Sequence, residues 1–316
     1  MATNDFVPVC TDDWYTRRRQ DDEGNFFRRM ATAAGRKGDG GDTRQGIYVF
    51  AADGTVLGFK NAGHDPKIMK KVFVDALAKF RQLPEAQRGP GKIKVAAHGE
   101  FDPKYTRQLP KDGLVLRTHA RILEKKGDTY QPGTCELQGG DKASRDYVWF
   151  TKEEVATLLP SVWEVGHNYP VPEKLTQRLA RFHYIDNTRG EPQFWKKSEI
   201  RDNQMSLSVI AVSPEQVELQ LTATVTLATK ADLAKADRGF EAQSIGWIKY
   251  NRTKKEFEQF DVASIGLHWG DHFHNGTARP GRNPLGLWWT LADLTKPGNT
   301  IWPQGIRDKD PYMKGD

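Results

Sequence analysis

Apolar and polar residues alternate strictly between residues 217 and 227, in "VELQLTATVTL". Successive side chains of a β-strand point to opposite faces of a sheet, so this pattern predicts a strand with one buried and one wet face. The segments "GLVLRTHARIL", "SIGWIKY", "EFEQFDVASIGLHW" and "LGLWWTLA" also fit strands. We therefore predict that residues 113–316 form a mainly antiparallel β domain, either a meander or barrel-like, with a few helices.

The N-terminal part of the chain has a different pattern. Residues 47–50 and 55–59 are typical of two strands joined by a turn at 51–54. Asp65 then predicts a helix N-cap, with Pro66 at the first helical position. The apolar residues that follow recur every three or four positions and would share one face: Met69, Val72, Phe73, Ala76, Leu77 and Phe80. This pattern predicts a hairpin packed against an amphipathic helix.

Weaker signals complete the organisation of the chain. We expect a strand at "FVPV" and helical structure in "CTDDWYTRRRQDDEGNFFRRMATAAG", where Gly24 makes one unbroken helix doubtful. Thr151 with Glu154 forms a capping box for a short helix, and residues 172–182 fit another. The predicted domains are residues 1–83, a linker with a first extended segment at 84–112, and residues 113–316. The predicted fold class is α+β.

Composition narrows the function classes. The 316 residues include 47 Lys and Arg against 41 Asp and Glu, a net charge of +6. Because the basic residues are interleaved with acidic ones, we do not expect a nucleic-acid-binding protein. No apolar run reaches the ~20 residues that a membrane span requires, so we expect a soluble chain. "MATNDFVPVC" lacks the features of a signal peptide, and an exported origin after removal of such a peptide stays open.

The two cysteines, Cys10 and Cys135, are too few for a disulfide framework or a cysteine-based zinc site, although a single disulfide between them stays open. Cys10 precedes Trp14 at a predicted helix start, where the pKa of a thiol can be lowered. Two carboxylates nearby, Asp12 and Asp13, oppose that effect. We favour the alternative that Cys10 is a small buried residue at a strand end.

"GLHWGDHFHNG" contains the sharpest local signal. In an extended chain, His268, His272 and His274 would project from the same face. Three imidazoles with one open position describe many catalytic Zn or Cu sites. The alternative, which we favour, is that these histidines are exposed at a strand end, because Gly270 and the turn signal at 275–276 can break the alternation.

Two further segments allow two interpretations each. The arginines between residues 17 and 29 are either an anion-binding patch or, as we favour, partners in helical salt bridges with the neighbouring carboxylates. "RFHYIDNTRGEPQFWKK" carries part of the aromatic and basic pattern of a single-strand nucleic-acid site. We favour a loop that is anchored by packing of its aromatic residues.

The segments "FVPV" and "DDWY", followed by the hairpin and the helix, resemble the thioredoxin fold. In that family a Trp commonly precedes a Cys-x-x-Cys motif at the start of the first helix, and a cis-proline lies just before the hairpin. The resemblance places the following residues at the thioredoxin site, with Cys10 nearby: Trp14, Tyr15, Arg18, Arg44 and Gln45. Tyr15 and Arg18 stand at the two cysteine positions, and neither can exchange disulfides.

The whole chain is also similar to a group of bacterial proteins that join a degenerate thioredoxin-like segment to a β-rich part, on the residues "DDWYTRRRQDDEGNFFRR", "TRQGIYVF" and "RFHYIDNTRGEP". This resemblance implies an architecture and an exported origin. From it we expect a non-redox binding or scaffold protein for an unknown ligand or protein partner. The alternative is a metal-dependent enzyme that uses Zn or Cu at His268, His272 and His274.

Overall fold

A computed structural model divides the chain into two compact units, residues 1–108 and 109–316. The structure describes residues 4–36, 43–61, 65–89, 102, 104–105, 108–133, 142–191, 193–270, 279–307 and 312–313. Across these residues it contains six α-helices and eleven strands, so the fold class is α+β. None of the helices in this part of the chain is both long and apolar enough to cross a bilayer.

Unit 1 contains four helices and one hairpin: α1 (Asp13–Thr16), α2 (Asp22–Ala33), β1 (Ile47–Phe50), β2 (Val56–Lys60), α3 (Pro66–Gln82) and α4 (Glu85–Arg88). The predicted hairpin and helix are confirmed. Strands β1 and β2 pair antiparallel, and α3 packs Ala76, which is fully buried, against Val49 and Leu57. The Asp65 carboxylate accepts the backbone N–H of Lys67 at 2.8 Å, which caps α3 as predicted.

The beginning of unit 1 differs from the sequence prediction. Residues 6–9 form no strand, and Val7 and Val9 are 90% and 81% exposed because no neighbouring strand covers them. The helical segment that follows is divided into α1 and α2. Each helix begins after its own aspartate cap, since Asp12 accepts the N–H of Trp14 and Asp21 accepts the N–H of Gly24.

Gly24 lies inside α2, and a methyl group there would overlap the carbonyl oxygen of Arg19. Alanine is the better helix former by about 1 kcal/mol. We nevertheless expect Gly24→Ala to destabilise unit 1 by about 1–3 kcal/mol, because the backbone has to move to relieve the overlap. Urea unfolding followed by circular dichroism measures this change. The control is Thr32→Ala at an exposed position of α2, and equal stability of the two variants would contradict the expectation.

Unit 2 contains nine strands and two α-helices: β3 (Leu114–Lys126), β4 (Thr129–Pro132), β5 (Asp146–Phe150), α5 (Lys152–Thr157), β6 (Asn168–Pro170), α6 (Glu173–His183), β7 (Ile200–Val212), β8 (Gln216–Ala228), β9 (Gly239–Asn251), β10 (Glu256–Trp269) and β11 (Asn283–Leu291). They form one antiparallel sheet in the order β4-β3-β11-β10-β9-β8-β7-β6, and β5 also pairs with β3. Among the described strands the order is open at both ends, so the meander prediction is confirmed and these strands do not form the barrel-like alternative. The predicted capping box of α5 is present at Thr151 and Glu154.

The two faces of this sheet have different environments. On β8 the apolar positions of the alternating pattern are all buried: Val217, Leu219, Leu221, Ala223, Val225 and Leu227. They belong to one hydrophobic core with Leu175 and Leu179 of α6. We call this the inner face. The opposite, outer face carries the intervening residues, such as Thr222 and Thr224, which are exposed.

Candidate functional site

The residues that the resemblance places at a thioredoxin site lie in two segments of unit 1 that contact each other. Trp14, Tyr15 and Arg18 lie in or next to α1, and Arg44 and Gln45 immediately precede β1. The contact is made by Asp13, whose carboxylate accepts the backbone N–H of Arg44 at 3.1 Å and the hydroxyl of Thr43 at 3.0 Å. The start of α1 therefore faces the segment that leads into the hairpin.

The two residues at the cysteine positions have structural roles. Tyr15 is 2% exposed, so its ring belongs to the core of unit 1. Arg18 donates a hydrogen bond to the carbonyl oxygen of Trp14 at 3.0 Å, and its guanidinium lies 4.4 Å from the centre of the Trp14 ring. The backbone of Arg44 is also engaged, because its carbonyl oxygen accepts the hydroxyl of Tyr48 at 2.5 Å. The guanidinium of Arg18 next to α1 and the backbone groups of Arg44 before β1 are therefore both engaged in contacts within unit 1.

Cys10 differs from the interpretation that we favoured. It is a free and exposed cysteine in a segment without regular structure, so it is neither buried nor at a strand end. The reason is the missing strand at residues 6–9, which leaves this stretch without a sheet to pack on. Cys135 lies outside the described residues.

Two of the arginines near α1, Arg17 and Arg19, bind carboxylates. Arg17 pairs with Asp13 at 2.5 Å, and Arg19 pairs with Asp21 at 2.7 Å and with Glu23 at 2.9 Å. Arg19 and Asp21 are both buried, so this pair is part of the fold of unit 1. The salt-bridge interpretation is confirmed for Arg17 and Arg19.

His268 is 6% exposed and lies on the inner face at the end of β10. The favoured interpretation of an exposed histidine is therefore wrong for this residue. Burial lowers the pKa of His268 to about 4, and the positive charge of Arg189 acts in the same direction, while the negative charge of Asp186 opposes it. The imidazole is neutral at pH 7. His272 and His274 lie outside the described residues, and elsewhere in the described chain no group of three or more His, Cys, Asp or Glu is placed to hold a metal ion.

The segment "RFHYIDNTRGEPQFWKK" begins in the last turn of α6 and continues as a loop anchored by its aromatic residues, as we favoured. Phe182, Tyr184 and Trp195 are at most 2% exposed. Asp186 and Arg189 form an ion pair at 2.8 Å in which both side chains are 1% exposed. Because a buried charge requires a partner, this pair, which lies within the loop itself, stabilises the buried conformation of residues 186–189.

A buried polar cluster lies where β5 meets the end of α6. Asp146 is 6% exposed, and one of its carboxylate oxygens accepts the backbone N–H of Gln304 at 2.9 Å. The other oxygen, Oδ2, has no hydrogen-bond partner among the described residues and lies 3.8 Å from Nδ1 of His183. Nε2 of His183 lies 3.0 Å from the hydroxyl of Tyr312. We call Asp146, His183 and Tyr312 the Asp146 cluster.

Burial acts in opposite directions on the two titratable groups at the centre of the Asp146 cluster. It raises the pKa of Asp146 to about 7. It lowers the pKa of His183 to about 3, and the positive charge of Arg178 contributes to this shift. Between these two values both groups are uncharged. A cavity of about 10 Å³, enough for one water molecule, borders both residues together with His119 and Asn187.

A larger groove, with a volume of about 900 Å³, lies at the β6 end of the sheet. It is lined by the segment from Pro170 to Glu173, by Thr176 and by parts of three strands: residues 203–206 of β7, 222–224 of β8 and 243–245 of β9. The lining residues with exposed side chains on these strands all lie on the outer face: Gln204, Thr222, Thr224, Gln243 and Ile245. A ligand that enters from solvent would meet mainly amide and hydroxyl groups.

Two tryptophans extend this outer surface. Trp247 follows Ile245 by two residues on β9 and therefore points to the same face. Trp288 of β11 pairs with Ala263, which in turn pairs with Ile245, so Trp288 lies in the same row across the sheet. Trp247 is 46% exposed and Trp288 is 57% exposed. Large aromatic side chains with this exposure are typical of binding surfaces.

Neither the Asp146 cluster nor the groove is predicted from the sequence. Asp146 and His183 are isolated polar residues within apolar segments, and only the pairing of β5 with β3 and the packing of α6 bring them together. Some residues that form the outer surface around the groove can nevertheless be recognised in the sequence. Thr222 and Thr224 belong to the solvent-facing side of the alternating pattern, and Trp247 shares its face of β9 with Ile245 and Lys249. What the sequence did not show is which strands lie side by side.

The fold and these sites define a two-unit α+β protein whose larger unit is built on an open antiparallel sheet. Comparison of the chain with protein-family models, with curated proteins and with solved structures finds no match in any of the three.

Proposed function

We propose that this protein is a non-redox binding or scaffold protein, with a thioredoxin-like unit 1 that lacks the catalytic dithiol and a unit 2 that supplies the ligand-binding surface. The observation that carries the proposal is the groove on unit 2, which is the larger of the two cavities described above. Its strand residues are Asn, Gln, Ser, Thr, Met, Ala and Ile, side chains that hold a ligand without offering a nucleophile paired with a base.

Unit 1 supports the non-redox part of the proposal. Tyr15 and Arg18 stand at the positions that the resemblance assigns to the two cysteines, and both are held by local packing. The N–H and the carbonyl group of Arg44 are bonded to Asp13 and Tyr48 within the unit. Cys10 has no second described cysteine beside it with which to form a reversible disulfide.

An insulin reduction assay with dithiothreitol tests the non-redox part. We expect insulin to precipitate at the same rate with and without the protein, because the sequence has no Cys-x-x-Cys motif to carry out the dithiol cycle. Cys10→Ser is the matched variant and should behave identically. Turnover above the protein-free rate that is lost in Cys10→Ser would overturn the proposal.

A further inference from the structure

The chemistry of the groove on unit 2 restricts the kind of ligand that it can bind. The exposed lining side chains on the strands are two amides, two hydroxyls and one aliphatic group, at Gln204, Gln243, Thr222, Thr224 and Ile245. Each amide both donates and accepts, and so does each hydroxyl. Among the described residues that line the groove, Glu173 is the only ionisable one, and none is Lys, Arg or His. The groove therefore suits a neutral ligand with many hydroxyl groups, not an anion.

The two tryptophans supply the apolar part of such a site. Neighbouring strands lie ~4.8 Å apart, so Trp288, two strands from Ile245, is ~10 Å across the sheet from the groove. Trp247 is ~7 Å along β9 from the same residue. Sugar rings have one face of C–H groups that packs on a flat aromatic ring and an edge of hydroxyls that binds amides. A chain of linked sugar rings can reach both the tryptophans and the amide groups of the groove.

We propose that the outer face of unit 2 binds a neutral oligosaccharide, with hydroxyl groups held by Gln204, Thr224 and Gln243 and sugar rings packed on Trp247 and Trp288. This inference rests on the proposed binding function and names its ligand class. A nucleic acid or an acidic glycan does not fit, since the described lining residues offer no cation. A purely apolar ligand would leave the amide groups without partners.

Native gels cast with neutral polysaccharides test this inference: xylan, mixed-linkage β-glucan, glucomannan and amylose, one in each gel. Bands that are retarded identify the sugar, and isothermal calorimetry with the corresponding hexasaccharide then measures the affinity. We expect retardation by at least one of them, and a loss of affinity of about tenfold or more in Trp247→Ala. Gln243→Ala should weaken binding as well, because it removes hydrogen bonds to the ligand.

The control variant is Tyr130→Ala, an exposed aromatic residue on β4 that lies outside the groove and should bind like the unchanged protein. Retardation by none of the polysaccharides, or an unchanged affinity in Trp247→Ala, would overturn the proposal. Sedimentation that shows a dimer abolished by Trp288→Glu, with no sugar bound, would instead make this face an interface between two copies of the chain. In either case, absence of insulin reduction by the protein still supports the non-redox function. Failure of the oligosaccharide proposal can therefore be distinguished from failure of the proposed non-redox function.

Discussion

Glu154→Ala is expected to lower the free energy of unfolding of unit 2 by about 3–5 kcal/mol, because it leaves a buried positive charge without its partner. Arg178 of α6 is 1% exposed and binds the two carboxylate oxygens of Glu154 at 2.8 and 2.9 Å. Its guanidinium also donates to the carbonyl oxygen of Trp149 and lies 5.1 Å from the ring of Tyr312. No water can replace the carboxylate at low cost in such surroundings.

Glu154 has a second role that the same substitution removes. Its carboxylate accepts the backbone N–H of Thr151 at 2.9 Å, which closes the capping box of α5. Loss of a helix cap costs about 1 kcal/mol on its own. One side chain therefore holds the beginning of α5 and ties that helix to α6.

Urea unfolding followed by tryptophan fluorescence measures this effect, because only Trp14 lies in unit 1 and the other eight of the nine tryptophans lie in unit 2. Lys152→Ala in the same helix is the control. Its ion pair with Asp112 joins side chains that are 66% and 55% exposed, so we expect a change within about 0.5 kcal/mol. The double variant Glu154→Leu with Arg178→Met should recover much of the loss, since it leaves no buried charge. A loss below 1 kcal/mol in Glu154→Ala would contradict the expectation.

Asp146→Asn is expected to stabilise unit 2 at alkaline pH and to change little at acidic pH. The folded protein holds the pKa of Asp146 at about 7, against a reference value of 3.8 for an exposed aspartate. A raised pKa means that burial of this group is tolerated at low pH, where the carboxyl group is protonated. Stability is then lost as the pH rises from 3.8 through 7, because only the unfolded chain exposes the carboxylate to water.

The size of this effect follows from the pKa difference. Each pKa unit corresponds to about 1.4 kcal/mol, so the full difference corresponds to at most about 4 kcal/mol above pH 7. Asparagine keeps the oxygen that accepts the N–H of Gln304 and carries no charge at any pH. We therefore expect the variant to match the unchanged protein near pH 4 and to exceed its stability increasingly up to pH 8.

His183 acts in the opposite direction and has to be separated from this effect. Its pKa is lowered to about 3 in the folded protein, so its contribution is present above the unfolded value of 6.5 and is lost as the pH falls. Between pH 4 and 6.5 the slopes from Asp146 and His183 cancel in the unchanged protein. The difference between the variant and the unchanged protein at each pH removes the part due to His183.

Urea unfolding at half-unit intervals between pH 4 and 8 provides the measurement. Asp128→Asn in the exposed turn between β3 and β4 is the control, and it should stay within about 0.5 kcal/mol of the unchanged protein at every pH. A stability gain in Asp146→Asn that does not depend on pH would show that Asp146 is not the group that titrates.

Much of the fold is predictable from the sequence where one local rule decides the outcome. The alternation in β8 assigns every side chain to a face. Asp65 and Pro66 mark the start of α3 through a local interaction, because the Asp65 carboxylate accepts the N–H of Lys67 two residues away. The strand predicted at "FVPV" is wrong because its formation does not depend on a local rule alone. Its residues favour a strand, but a strand requires a partner, and the described structure places none beside Val7 or Val9.

The candidate sites were predicted less well, because they depend on contacts between residues that are distant in the chain. Ala120 pairs with Leu287, and this pairing places His119 and the cavity beside α6. Thr222 and Ile245 lie side by side only through the register of β8 and β9. His268 was singled out from spacing alone, and its burial against the inner face could not be read from the residues around it.

The strand order has a consequence for biosynthesis. Strands β7 to β11 each pair with the strand that is synthesised just before or just after them. This part of the sheet can therefore form through pairing of consecutive strands while the chain leaves the ribosome. Strand β3 is made much earlier, yet one of its two edges pairs with β11, the last strand of the unit. That edge stays unpaired until β11 has been made, and it is the place where a nascent chain is most open to association with another chain or to recognition by a chaperone.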